Sequence, residues 1–359
     1  MVSSSSNKEG TMKRIGILIA SFLLLGTVIM QGTAAAASRA IGVNPRRDYT
    51  LSPGETKSDT IFVTNLNQTE ELTAKIEIID FGSQNQTGSP ALLLKATEPT
   101  KWSLKPYLSM PDGYKIPAGK SAEIPFTISI PEGLGAGSYY SAIRFMADSA
   151  NEGSNVSLTS SAATLMFIRV TGETRSSLTL EKLGAFTPNK DMTDGVYGTF
   201  FSATAPKYLS YLLKNNGNVA EQPTGSLLIR NIFGKQVQVI ENANPGKNLV
   251  LIDQIRRIDV CLNEERKDVK NPETGNMVEE VICNPAKLMP GIYKAQLGLV
   301  YGDSGNASQE IKATATFWYL PVWFIIAAAL GIALLAFAIW KLVHNIKNYK
   351  KPTYGTRRR

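Results

Sequence analysis

Histidine is almost missing from this chain: the single residue is His344, which lies beyond the last apolar run. Without a second histidine, no Ser-His or Cys-His nucleophilic pair can form in the body of the protein. No clustered His/carboxylate set suggests a metal centre, and no G-x-x-x-x-G-K-S/T phosphate loop occurs. Adjacent acidic residues stand at Glu70-Glu71, Glu264-Glu265 and Glu279-Glu280. In extended chain such neighbours point to opposite faces, so they are expected to be solvated rather than paired for sugar chemistry. The sequence therefore predicts no enzyme and no cofactor.

Cysteine is equally scarce. Cys261 and Cys283 are the only two. Both lie on the side of the chain expected to be exported, where pairing is the default. Closing a loop of this length would contribute about 3 kcal/mol through chain entropy. Two sulfurs with no nearby histidine do not make a zinc site.

Helical periodicity is also lacking between the two ends. Each end carries a long apolar run instead. The run 320–340 has 21 uncharged residues, about 30 Å as a helix and enough to cross a bilayer's hydrocarbon core. Trp318, Tyr319 and Trp323 flank one end and Trp340 the other, as interfacial aromatic belts do. Seven Lys/Arg residues and no acid follow from Lys341 onward, which places that tail in the cytoplasm. At the other end, Lys13 and Arg14 precede an apolar stretch over 15–30 and a small-residue segment ending at Ala37. This is the pattern of a cleaved secretory signal peptide, with an uncleaved second anchor as the alternative. The expected organisation is thus a signal peptide over 1–37, an exported body, a transmembrane helix over 317–343 and a basic tail over 344–359. The expected location is the cell membrane, single-pass, with the N-terminal part outside.

The charge follows from this topology. The chain is +8 overall. The tail and the signal region hold that excess, and the segment between them is close to neutral at −1. Nucleic acid is therefore not an expected partner, because no basic groove needs explaining.

The exported body reads as all-β. Residues 72–78 alternate, with Leu72, Ala74, Ile76 and Ile78 on one face and Thr73, Lys75 and Glu77 on the other. Pro53-Gly54 and Ala118-Gly119 mark turns that precede strands, and Trp102 is expected in the core. Pro125 within a strand predicts an edge position or a bulge. A polar loop is expected over 148–161. Further strands are predicted at 177–183, 208–213, 225–231, 237–240, 249–252, 290–301 and 310–317. Each half carries a Gly-x-Tyr turn ahead of a late strand, at Gly137-Ser-Tyr139 and Gly291-Ile-Tyr293. The spacing predicts two tandem immunoglobulin-like β-sandwich domains, over 38–172 and 173–316. A charged excursion over 258–285 is expected to form a hairpin stapled by the two cysteines. It reads as a solvated insertion or as a binding finger, the former being preferred.

The run IGVNPRRDYTLSPGETKSDTIFVTN at 41–65, the strand ending Ile79-Asp80-Phe81, the turn Ile116-Pro-Ala-Gly119 and the strand entry at 137–145 resemble the WxL-interacting proteins. That family consists of bacterial surface proteins with a signal peptide, two immunoglobulin-like domains, one C-terminal span and a basic tail. The resemblance implies contact with peptidoglycan through the first domain and with another surface protein through the second. The stapled hairpin departs from the usual second domain. Similar Pro-Gly-turn sandwiches occur in periplasmic pilus chaperones, so a chaperone-like surface-assembly protein acting by β-strand pairing is the alternative to a wall-binding scaffold.

Overall fold

Alternation sets the strands, and buried side chains decide how the sheets meet. The computed structural model describes residues 41–96, 98–147, 160–198, 204–271, 275–302 and 308–349. The expected signal peptide lies outside the described residues, as do most of the polar loop and the last ten residues of the tail. What is described is mostly β-strand, an all-β arrangement of paired sheets with one C-terminal apolar helix.

The N-terminal part comprises β1 (Ile41–Val43), β2 (Arg46–Leu51), β3 (Thr56–Asn65), β4 (Leu72–Ile79), β5 (Phe81–Gln84), β6 (Ser89–Leu92), β7 (Leu108–Ser109), β8 (Gly113–Ile116), β9 (Ser121–Ser129), β10 (Gly137–Ala147) and β11 (Ser161–Val170). They form a sheet in the order β1-β3-β9-β7 and a second in the order β2-β11-β10-β4-β8, with β5 and β6 as a separate hairpin. Ile61, Val63, Ile124 and Phe126 from the first sheet pack with Leu72, Ile76, Ile143, Phe145 and Ile168 from the second in one core. Leu72, Ala74 and Ile76 are buried as the alternation predicts, but Ile78 is half-exposed and Ile79 takes the buried place. Pro125 faces Thr60 of β3, while β7 pairs only with residues 127–128 of β9. Its missing N–H thus falls where the strand is locally an edge.

The C-terminal part comprises β12 (Leu178–Pro188), β13 (Gly195–Tyr197), β14 (Tyr208–Asn215), β15 (Thr224–Asn231), β16 (Gln236–Ile240), β17 (Ile255–Cys261), β18 (Glu264–Lys270), β19 (Met277–Cys283), β20 (Gly291–Tyr301) and β21 (Gln309–Tyr319). The sheets β13-β12-β14-β17 and β16-β15-β20-β21 enclose a second core that includes Leu209, Tyr211, Ile258, Leu227, Ala295 and Leu297.

Two devices recur. A buried asparagine ends β3 and β14, and its amide holds the turn that follows: Asn65 donates to the carbonyls of Glu70 and Ile116, Asn215 to those of Val219 and Val250. The Gly-x-Tyr repeat becomes a tyrosine corner, with the hydroxyls of Tyr139 and Tyr293 each donating to a carbonyl four residues upstream, Gly135 and Met289.

Three expectations need correction. The predicted strand at 249–252 is not one: Val250 makes a single bridge to Glu221, and Leu251 and Ile252 turn into the contact between the two sandwiches. The excursion expected over 258–285 is narrower, because Ile258 and Val260 on β17 are core residues and only β18 and β19 leave the sandwich. The helix expected from 317 starts later. Phe317 is buried and stacks on Tyr293 with ring centroids 5.5 Å apart, so β21 continues through Tyr319. Pro321 cannot donate to a ladder, and its carbonyl accepts the amides of Phe324 and Ile325, which opens α1 (Val322–Tyr349). By length and composition α1 can cross a membrane, and none of its most apolar window is buried against the sandwiches.

A cleft and an open strand edge at the junction of the sandwiches

The junction is built from the β5–β6 hairpin of the N-terminal sandwich and the 249–256 segment of the C-terminal one. Phe81, Tyr140 and Ala142 pack there with Leu251 and Ile252. The Ser83 amide donates to the Gln254 side chain and the Arg257 amide to the Gln86 carbonyl, both at 2.6 Å. On the other flank, Asn218 donates its side-chain amide to the Ala136 carbonyl at 2.9 Å, and its own carbonyl accepts the Ser138 amide. Gly137 is obligatory there: its φ is +153°, and a Cβ would lie 2.6 Å from the Asn218 carbonyl oxygen.

Beside this joint lies a cleft. One part, of about 240 Å3, is lined by Arg46, Asp48 and Thr50 of β2, Phe167 and Arg169 of β11, and Ala220 and Leu249 opposite. A second part, of about 190 Å3, shares Arg46, Phe167 and Leu249 and reaches Lys247 and Arg256. The Arg46 guanidinium lies 4.6 Å from the centre of the Phe167 ring and is fixed there by two bonds to Asp48, Nε at 2.8 Å and Nη2 at 2.7 Å. Arg256 donates to the carbonyls of Gly88 (3.1 Å) and Leu249 (3.2 Å) and to Asn248 Oδ1 (2.6 Å), and has no carboxylate partner among the described residues. Burial lowers its affinity for the proton. Arg46, Arg169, Lys247 and Arg256 against Asp48 make the cleft positive.

The edge of β2 runs along this cleft. It is the outer strand of its sheet and pairs in parallel with β11 alone. The Pro45 carbonyl accepts the Leu165 amide and the Leu51 carbonyl accepts the Thr171 amide, so the odd-numbered residues of β2 face β11. The N–H and C=O groups of Arg46, Asp48 and Thr50 therefore point away, unpaired by backbone among the described residues. Charged side chains at such an edge discourage indiscriminate pairing while leaving the backbone free. The arrangement can receive an extended segment: backbone pairing along β2, an apolar contact at Phe167 and Leu249, and a positive wall for an acidic group.

A larger groove of about 420 Å3 lies at the opposite side of the same sheet, lined by Ile78, Asp80, Leu93, Leu94, Glu98 and Lys105 among others. Among the described residues Ile78 has neither outward backbone group paired there, while Ile76 uses its amide on Asp112 and Asp80 its carbonyl on Leu93. Its wall is held by the Asp80 carboxylate, which accepts from Thr100, Ser103 and Ser141. Trp102 stacks on Tyr140 (5.8 Å), half-buried rather than in the main core. Nothing in the sequence brings Arg46, Arg169 and Arg256 together, and only strand order reveals their cleft.

Cys261 and Cys283 form a disulfide with Cα atoms 5.7 Å apart at the base of the β18–β19 hairpin. Every residue of β18 is exposed. Glu264, Glu265, Glu279 and Glu280 are all solvated, and no His/Cys/Asp/Glu cluster suited to a metal exists among the described residues.

No protein-family profile matches the chain, and no curated protein matches it. Solved structures with a similar strand arrangement include the class 5 fimbriae chaperone CfaA (TM-score 0.36, 13% identity, 76% of this chain and 98% of that one). The SafB chaperone of Salmonella enterica, solved with the SafA pilin, gives a TM-score of 0.33 at 10% identity over 78% and 99% of the two chains. The E. coli chaperone DraB gives 0.32 at 11% over 76% and 96%. At TM-scores of this size the similarity identifies neither a family nor a function.

Proposed function

We propose that this chain is a non-catalytic, single-span cell-surface protein, built of two tandem immunoglobulin-like domains, that holds an extended segment of another surface protein by strand pairing along β2. The open backbone of Arg46, Asp48 and Thr50 beside the positive cleft carries this reading. Strand addition draws affinity from backbone bonds, each contributing about 0.5–1.5 kcal/mol net, and specificity from pockets for alternate side chains. Anchoring in the cell membrane is supported by the length of α1, by Trp323 and Trp340 near its ends and by the basic residues that follow. In that orientation the sandwiches are extracellular and the tail cytoplasmic. The disulfide suits such a compartment. Membership of the WxL-interacting family, with peptidoglycan as a ligand, is a second proposal that rests on the resemblance of 41–81 and 116–145 alone.

The test is a crosslinking pull-down of the tagged full chain from intact cells, comparing the unaltered protein with Thr50→Pro. That substitution deletes an outward N–H and leaves the bonds to β11. One surface protein captured by the former and lost from the variant supports strand pairing. An unchanged eluate rules it out, and an eluate of wall fragments moves the assignment to the wall polymer.

A further inference from the structure

Five large hydrophobic residues outside α1 are more than 60% exposed among those described: Val196, Ile232, Phe233, Met277 and Met289. All five belong to the C-terminal sandwich or its hairpin. Single exposed hydrophobics are ordinary on a surface. Three of these, however, share one end of one sheet.

The register shows which end. Tyr319, the last residue of β21, pairs with Gly291, and Phe317 pairs with Tyr293. Tyr293 in turn pairs with Asn231, the last residue of β15. The β15–β16 turn, with Ile232 (64% exposed) and Phe233 (90% exposed), therefore lies beside the exit of the chain into α1, as does Met289 (79% exposed), two residues before Gly291. Two strand spacings, about 10 Å, separate the turn from β21. Lengthwise, Phe233 and Met289 reach the level of residues 319–321, and α1 begins at Val322. None of the most apolar window of α1 is buried against the sandwich.

Charge at this end is mixed, because Glu265 at the base of the β18–β19 hairpin lies near Lys287. Lys235 and Lys287 are exposed beside the apolar residues, and neither 229–240 nor 284–296 contains an acid. An apolar tip flanked by lysines is the composition that enters a headgroup region, and lysine near an anionic surface adds attraction.

We propose that this end of the C-terminal sandwich is a lipid-docking face. Ile232, Phe233 and Met289 enter the outer-leaflet interface at the level of Trp323, and Lys235 and Lys287 meet lipid phosphates. The sandwich then stands on the bilayer at two points, the root of α1 and the β15–β16 turn, instead of swinging on the Leu320–Pro321 joint. This inference rests on the membrane anchoring proposed above.

The test uses the full chain, disulfide intact, in nanodiscs of phosphatidylcholine and phosphatidylglycerol in equal parts. An environment-sensitive fluorophore is placed at Phe233→Cys, with Leu334→Cys in α1 and Lys57→Cys on the N-terminal sandwich as references. Docking predicts a blue shift at 233, quenching by nitroxide lipids and loss of quenching by aqueous iodide. Position 334 should respond likewise, and 57 should remain open to iodide. If 334 is quenched from the lipid while 233 stays as open to iodide as 57, the docking face is refuted and the anchor stands. If neither 233 nor 334 responds to nitroxide lipids, the anchor itself fails and the docking with it. Shielding of 233 from iodide without lipid quenching would indicate a protein contact, which also refutes the proposal. With the probe at Met289→Cys, the double change Ile232→Asp and Phe233→Asp should abolish lipid quenching. Both side chains are exposed, so folding is not at issue.

Discussion

Replacing Asp80 with alanine removes the acceptor that pins the 100–105 segment to β10. Oδ2 accepts the Thr100 amide at 2.8 Å and its hydroxyl at 3.2 Å, and Oδ1 accepts the hydroxyls of Ser103 at 2.7 Å and Ser141 at 2.8 Å. Ser103 and Ser141 are buried, and each also accepts a backbone amide, Lys105 and Leu104 respectively, which limits their freedom to turn elsewhere. A buried donor deprived of its acceptor costs about 1–3 kcal/mol. The two buried serine hydroxyls, with a smaller loss from the Thr100 amide and hydroxyl whose loop can relax toward water, give about 3–5 kcal/mol. Urea unfolding of residues 41–319, followed by circular dichroism, reads this directly. With a slope of about 1–3 kcal/mol per molar, the midpoint for the N-terminal sandwich should fall by roughly 2 M. Asp80→Asn keeps an oxygen for the two serines but turns an NH2 toward Thr100, and should cost only about 1–2 kcal/mol. A loss below about 1 kcal/mol for the alanine variant, or equal losses for both, would refute this account of the carboxylate.

Other consequences follow from single contacts. The Tyr49 hydroxyl donates to Asp59 at 2.7 Å. That bond, with the Thr60 amide, holds the Asp59 carboxyl below its usual range, while burial and the same bond push the Tyr49 phenol up to about 12. Asp59 therefore contributes stability that is present above its unfolded pKa and lost as pH falls through the folded one. Tyr49 contributes stability that is present below its unfolded pKa and lost as pH rises toward 12. Tyr49→Phe should flatten both limbs in unfolding midpoints measured across pH. Cys261→Ser with Cys283→Ser should accelerate amide exchange throughout β18 and β19 and leave Ile258 and Val260 protected, because the hairpin adds nothing to the core. A global loss near the loop-entropy figure of about 3 kcal/mol would contradict this. Gly88 has φ +74°, and a Cβ there would fall 2.0 Å from Arg256 Nη1. Gly88→Ala should loosen the junction, seen as faster exchange of the Ser83 and Arg257 amides with the β10–β11 pairing unchanged.

Period-2 runs at 72–76 and 310–317 made those strands legible, since alternation is local information, whereas 209–213 is buried on both faces. The repeated Gly-x-Tyr was visible as a repeat, but its purpose, a hydroxyl reaching a carbonyl four residues back, needed the turn geometry. Apolarity alone misassigned 249–252 as a strand, because those side chains are buried by the other sandwich and not by a sheet. The same limit applied to Phe317, whose stacking on Tyr293 keeps it in β21 although its sequence reads as the start of the apolar helix. The cleft was invisible for a related reason. Arg46 and Arg256 are 210 positions apart, and only the packing of β2, β11 and the 246–251 loop brings them to one cavity. Asp80 stood in the sequence only as part of a strand ending, with nothing local to mark its four hydrogen bonds.

Site-specific photo-crosslinking in intact cells tests the central claim most directly. A photoreactive residue is placed at Asp48 and at Thr50, with Val300 on the C-terminal sandwich as the reference position. The account predicts that 48 and 50 capture neighbouring positions of one extended segment from the same surface protein, that Val300 does not, and that Thr50→Pro removes the crosslink at 48. A partner captured equally at Val300, or none at 48 and 50 while the protein is bound elsewhere, would contradict it.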